Sequence, residues 1–250
     1  ITDKNNHILE VIAKNDLELY YALSDKHNII LIEKVIELCI ARLNCLFNNK
    51  DELFLIKVFF KLKSYDSGVL KFRPLHTARL IDLICMVSML IPLMYDDDYE
   101  KGTRTLSDLS KLVPHNFYGN VPSTNVQYLF HKWQTKYKEY TDDVIGHCRM
   151  YQSNHKYLTE VSLDIKNFFP SISPRLLYNY IKDKLSLTYK DDLDTLKTAI
   201  VKLLFFRVEK DNIEPWKDNY YPEDNKVIDN ELYMNCGIPQ GLPQSYFFGN

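Results

Sequence analysis

This sequence carries no excess of charge of either sign. Thirty-one Lys and Arg against 33 Asp and Glu leave a formal net charge of −2. There is no global basic field to draw the chain onto nucleic acid, so any such contact has to come from local basic surface. Cysteine is sparse, with five residues at 39, 45, 85, 148 and 236 and no CxxC spacing. That excludes a structural zinc and a disulfide framework and leaves a reduced, cytoplasmic protein as the expectation. Long clean apolar runs are missing too. The most apolar window, "LIDLICMVSMLIPLMY" at 80–95, holds Asp82 and Pro92 and falls short of the roughly 18 apolar residues a membrane span needs. It reads as a buried helix, and no membrane partner is expected. The sequence shows no charged-then-apolar leader, so no secretion signal is visible in it. The chain is expected to continue beyond Asn250, because it stops directly after an apolar run.

With 46% apolar and 13% aromatic residues, the chain has material for a sizeable core, in one large domain or two small ones. Residues 1–110 read as a mostly helical N-terminal region. In "NIILIEKVIELCIARLNCLF" apolar side chains at 32, 35, 36, 39, 43 and 46 recur at helical spacing. "DELFLIKVFFKLK" reads as a second helix with Asp51 as its N-cap, and "SYDSG" as a turn. A third helix is expected from about 75 to 91, ended by Pro92.

From 111 the texture changes. "PHNFYGNVPSTN" is loop-like, and "VQYLFHKWQTKYKEY" reads as an aromatic, partly basic helix. Its Trp133, Tyr137 and Tyr140 could pack inside the fold or stack on a single strand of nucleic acid. "YLTEVSLDIKNFF" at 157–169 alternates Val161, Leu163 and Ile165 with Ser162, Asp164 and Lys166, the period-two mark of a strand. "SPRLLYNYIKDKL" starts a helix with Ser173 as N-cap and Pro174 at the first helical position. "DDLDTLKTAIVKLLFF" is another helix, apolar at 193, 196, 200, 203 and 204. Residues 208–230 read as a polar loop, and "ELYMNC" as a short strand.

An acid such as Asp164 on a core strand has to be liganded, ion-paired or hydrogen-bonded. Magnesium, which takes one or two carboxylates plus substrate phosphates, would suit it; a structural salt bridge would too. The closing stretch, "GIPQGLPQSYFFGN" at 237–250, holds three of the chain's seven glycines and two prolines, then runs into an aromatic cluster. Gly237 and Gly241 allow tight turning and close approach of a ligand, and Pro239 and Pro243 stiffen the loop.

Taken in order, "SLDIKNFFPSI" and, about seventy residues later, "GIPQGLPQS" resemble two motifs of reverse transcriptases. The likeness is nearest to bacterial members of the retron, group II intron and abortive-infection or phage-defence types. It covers roughly 157–250. It implies an α+β fold, a polymerase right-hand fragment at 111–250 with fingers and the first half of an antiparallel palm. It also implies Asp164 as catalytic residue and magnesium ligand, with the Ile165 carbonyl as a second metal contact. Ile165, Lys166, Phe168, Phe169, Gln240 and Gly241 would bind nucleotide. Phe169 would be the steric gate that rejects a ribose 2′-hydroxyl, with ordinary core packing as the alternative. Ser245 would open the supporting helix.

Three departures bear on the resemblance. The later "YxDD" aspartates of the family are not in this sequence, and "YDDD" at 95–98 precedes Asp164, in the wrong order. The resemblance implies a Lys and an Arg that grip the triphosphate from the fingers, but the corresponding stretch, "NFYGNVPSTNVQYLF", has neither. The N-terminal region is also longer than in retron enzymes. Together these favour the defence branch: synthesis of DNA from deoxynucleotides with magnesium, without a template and from a protein primer. A retron-type enzyme reading an RNA template, or a palm serving as a non-catalytic scaffold, are the alternatives. A homo-oligomer is compatible with the resemblance.

Overall fold

The computed structural model describes residues 16–25, 27–98, 100–114, 116–154, 157, 159, 161, 163–165, 168–188, 193–209, 232–234 and 237–249. It is a mixed α+β protein. Helices α1 (Asp16–Ser24) and α2 (Ile29–Asn48) lead into a long hairpin of β1 (Phe54–Asp66) and β2 (Val69–Thr77). Helix α3 (Leu80–Met94) follows, then a small hairpin of β3 (Tyr95–Asp98) and β4 (Thr103–Leu106). The second half contains α4 (Trp133–Ser153), the four-residue α5 (Phe168–Ser171), α6 (Pro174–Thr188) and α7 (Leu193–Leu204). Strands β5 (Phe206–Glu209) and β6 (Leu232–Met234) and helix α8 (Pro243–Phe248) complete it.

Local chemistry accounts for several of these elements. The Asn28 side chain accepts a hydrogen bond from the Leu31 N–H at 3.3 Å and starts α2, which buries Leu31, Val35, Cys39 and Leu46. Ser67 and Gly68 both take positive φ, 49° and 86°, so a two-residue turn of the hairpin-forming kind joins β1 to β2. In β1 the buried Phe54, Ile56 and Val58 alternate with Leu55, Lys57 and Phe59. Past Phe60 the hairpin is exposed on both faces and projects from the body. Ser173 accepts from the Leu176 N–H at 3.4 Å ahead of Pro174, and α7 buries Leu196, Ile200, Leu203 and Leu204, both as the sequence implies.

The main sheet runs β2-β1-β5-β6, with β1 and β5 parallel and the other pairs antiparallel. Helices α2, α3 and α7 pack on one another beside it and form the core. Two polar devices tie this core together. Arg42 on α2 donates from Nε to Asp82 of α3 at 2.8 Å and also bonds Glu52 ahead of β1. Lys202 of α7, 2% exposed, donates to the backbone carbonyls of Asn49, Lys50 and Glu52 at 3.0, 3.0 and 2.6 Å. It thus satisfies the carbonyls just beyond α2 that no helical N–H reaches.

The N-terminal region is less helical than expected. "DELFLIKVFFKLK" is strand β1, so Asp51 caps no helix. The third helix begins at Leu80 and runs through Pro92 to Met94, held down by buried Leu93 and Met94. Strands on both sides of position 110 share one sheet. "YDDD" forms strand β3. The strand expected over 157–169 is not formed by its described residues: Val161, Leu163 and Ile165 are 73%, 89% and 60% exposed and irregular. Of the basic aromatic helix, only the part from Trp133 is helical, and α4 buries none of its residues. No helix among the described residues is long and apolar enough to cross a membrane.

Candidate functional site

The closing motif folds back onto two other parts of the chain, and glycine makes both approaches. Gly237 is buried against the backbone of α5. A Cβ there would lie 2.3 Å from the Phe169 carbonyl oxygen and 2.4 Å from Pro170 Cα, so no larger residue fits. The next residue seals the contact: the Ile238 N–H donates to the Phe169 carbonyl at 3.1 Å. Gly249, past the end of α8, returns to the same place, where a Cβ would meet the Phe168 and Phe169 rings at 3.4 and 3.5 Å. The two rings stand edge to face with centroids 5.2 Å apart. The segments that look like two reverse-transcriptase motifs are therefore in direct contact across seventy residues of chain.

The loop's other anchor is the end of β2. The His76 N–H donates to the Gln240 carbonyl at 2.8 Å, and His76 Nδ1 lies 3.1 Å from the same oxygen. Burial drives the imidazole pKa down to about 4, with the Gln240 carbonyl partly opposing. The ring is therefore neutral at pH 7, and only an Nδ1–H tautomer can donate to that oxygen. Gly241 follows with φ +104°, a backbone open to glycine alone, and a Cβ on it would lie 3.2 Å from the His76 carbonyl oxygen.

Helix α8 starts at Pro243, two residues before the expected Ser245, because Pro suits the first helical turn. Ser245 instead locks the loop, its buried hydroxyl donating to the Pro239 carbonyl. Phe247 and Phe248 pack into the core. Gln244 is 1% exposed, and its Oε1 is buried with no hydrogen-bond partner among the described residues.

Of the residues singled out in the sequence, Phe168 and Phe169 lie with Gly241 and the Gln240 backbone around this folded loop. Phe169 also packs on the core, so both readings of its ring stand. Asp164 and Ile165 are exposed and irregular, a few residues ahead of α5, and Lys166 lies outside the described residues. Among the described residues, no three His, Cys, Asp or Glu side chains gather into a metal-holding group.

"YDDD" has a structural occupation. Arg104 donates from Nε and Nη2 to the two Asp97 carboxylate oxygens, each at 2.9 Å, and its guanidinium lies 4.2 Å from the Tyr95 ring centroid. Both partners of this pair are more than nine-tenths buried.

Cations absent from 116–130 stand on another part of the fold. Lys57, Lys61, Lys63, Lys71 and Arg73 stand on the β1–β2 hairpin, whose second strand ends at Thr77, next to the His76 that holds the loop; Lys57 and Lys71 are paired with Glu209 and Asp66. Lys61 and Arg73 are directly opposite in register and both exposed. Two like charges opposite each other repel unless an anion sits between them. The alternating Lys and Arg on either side of "YDSG" was the available signal, obscured by reading the segment as a helix.

Comparison with protein-family models, with curated proteins and with solved structures finds no match for this chain.

Proposed function

We propose that this chain is part of a DNA polymerase of the reverse-transcriptase type, working in bacterial anti-phage defence of the abortive-infection kind. What carries the reading is the contact just described: "FFPSI" and "GIPQGLPQS" meet backbone to backbone, through a glycine that admits no side chain. A chance Gly/Pro turn has no need to bury itself on a distant aromatic pair while a second strand fixes its central carbonyl.

In this reading the deoxynucleotide lies against the Gln240–Gly241 turn, which His76 of β2 holds in place. The Phe169 ring excludes a ribose 2′-hydroxyl. Lys61 and Arg73 give the triphosphate its cations, in place of the ones sought at 116–130, and an anion between them relieves their mutual repulsion. Asp164, exposed and carrying a hard oxygen donor, is suited to be one carboxylate ligand of magnesium, with the Ile165 carbonyl beside it. Bound magnesium would stabilise the charge on the attacking and leaving oxygens of phosphoryl transfer.

The test is incorporation of labelled deoxynucleotides by the full-length protein with magnesium, wild type beside Asp164→Ala. Asp164 is exposed, so the variant should fold normally. Incorporation that vanishes in the variant supports the proposal, and sequencing the product separates template-independent, protein-linked synthesis from the retron-type alternative. A wild type that incorporates nothing with nucleotide and metal verified, or a variant as active as wild type, refutes it.

A further inference from the structure

Helix α4 is 21 residues long and buries none of them. Trp133, Tyr137, Tyr140 and Val144 fall at i, i+4, i+7 and i+11, one continuous stripe, and are 69%, 60%, 46% and 41% exposed. A helix made to pack would hide such a stripe. The rings are ordered as a ladder: Tyr137 and Tyr140 have centroids 6.2 Å apart, and Tyr118 meets Tyr140 edge to face at 5.7 Å. Beside the stripe lies a cleft of about 520 Å³, between α4 and the loop before it, lined by Val113, Phe117, Tyr118 and Pro122 with Lys111 and Lys136. That volume is in the range of small-ligand sites. Lys136 lines the cleft, Lys132 stands just ahead of the helix with its ammonium 5.9 Å from the Tyr128 ring centroid, and Lys138 lies around the stripe's other shoulder. Glu139 holds Lys136 at 2.7 Å and tempers its charge, while the acids Asp142 and Asp143 come a turn further on.

Exposed rings along one helix face, with ammonium groups near its start and an aromatic slot next to it, match the two recurring needs of a flexible polyanion with flat bases. From this we infer that the first half of α4 and its adjoining cleft bind single-stranded nucleic acid, the bases stacking on Trp133 and Tyr137 and the phosphates lying along Lys132 and Lys136. The inference rests on the polymerase reading for its biological sense and names that enzyme's single-stranded product or template as the occupant.

The experiment is fluorescence anisotropy of a labelled oligodeoxythymidine of about 20 nucleotides, longer than the ~16 one such platform spans. It uses the full-length protein with neither magnesium nor nucleotide. Trp133→Ala and Tyr137→Ala should each weaken binding about 5-fold or more, and the double variant more than 10-fold. Lys132→Gln should flatten the salt dependence. Lys34→Gln, on α2 and outside this surface, should bind as wild type does. Both rings are exposed, so circular dichroism should show the variants folded. Wild-type binding that the double variant leaves unchanged overturns the inference, as does the absence of wild-type binding. So does self-association that the variants abolish without touching oligonucleotide affinity, since the face would then be an interface between copies. Because binding and incorporation are measured separately, either reading can fall without the other.

Discussion

Replacing Gly237 by Ala would add one methyl group where the fold has no room for it. The new carbon would sit 2.3 Å from the Phe169 carbonyl oxygen, against a closest real approach of about 3.0 Å, and its neighbours are backbone atoms that cannot rotate away. The loop and α5 would have to part by at least about 0.7 Å, the difference between those two distances. Overpacking of this kind costs about 1–3 kcal/mol. Stretching the Ile238–Phe169 hydrogen bond past its useful range adds about 0.5–1.5 kcal/mol. The expected loss is therefore about 2–4 kcal/mol, which moves a urea midpoint down by roughly 1 M at the steeper slopes seen for larger proteins. Urea unfolding followed by circular dichroism measures it, with Gly146→Ala as control. Gly146 lies in α4 with nothing within 4 Å of its would-be Cβ, so alanine there should stabilise by about 0.5–1 kcal/mol. Gly237→Ala should also lower deoxynucleotide incorporation at temperatures where the variant stays folded, because it separates the two motifs. A Gly237→Ala protein as stable and as active as wild type would refute the close-contact argument.

Three further outcomes are expected. His76 is neutral in the fold with its pKa at about 4, below the ordinary 6.5, so the unfolded chain binds a proton first as pH falls. Stability should therefore drop between pH 6.5 and 4, by up to about 3 kcal/mol from this group, and His76→Gln should unfold with a visibly flatter pH profile over that window. Lys61→Ala with Arg73→Ala should raise the KM for deoxynucleotide well beyond any effect on kcat in steady-state incorporation, since the lost contact is to the bound triphosphate; an unchanged KM would remove both residues from the site. Asp97→Asn leaves Arg104 buried without its counter-charge and should destabilise by about 3 kcal/mol in thermal unfolding, while the folded protein keeps its incorporation rate.

The sequence revealed some elements well because one principle governs them alone. Helix α7 repeats its apolar positions strictly, and α6 announces itself with Ser173 and Pro174. It misled where two periodicities overlap. "FLIKVFFKLK" has apolar residues frequent enough to satisfy a helical template, yet the burial of Phe54, Ile56 and Val58 follows the β-branched and aromatic preference for strands. Pro92 removes one hydrogen bond near the end of α3, but the buried Leu93 and Met94 outweigh it and the helix runs on. Conversely, Val161, Leu163 and Ile165 alternate as a strand should, but alternation supplies no neighbour to pair with. As for the site, the glycines of the closing motif were legible as points of close approach. What they approach was not, because His76 and Phe169 lie 164 and 68 positions away from their partners Gln240 and Gly237 and no local pattern links them.

The parallel pairing of β1 with β5 places Phe54 beside Phe206. On the ribosome those strands emerge about 150 residues apart, which at 5–20 residues per second is a delay of about 8–30 s. Throughout that interval the inner edge of β1 has no partner strand, and the carbonyls of Asn49, Lys50 and Glu52 await the ammonium group of Lys202. The nascent chain thus carries an open strand edge during its own synthesis, the kind of surface that chaperones shield and that invites pairing with other chains. Slowing translation ahead of residue 206 should lengthen this exposure and lower the soluble yield.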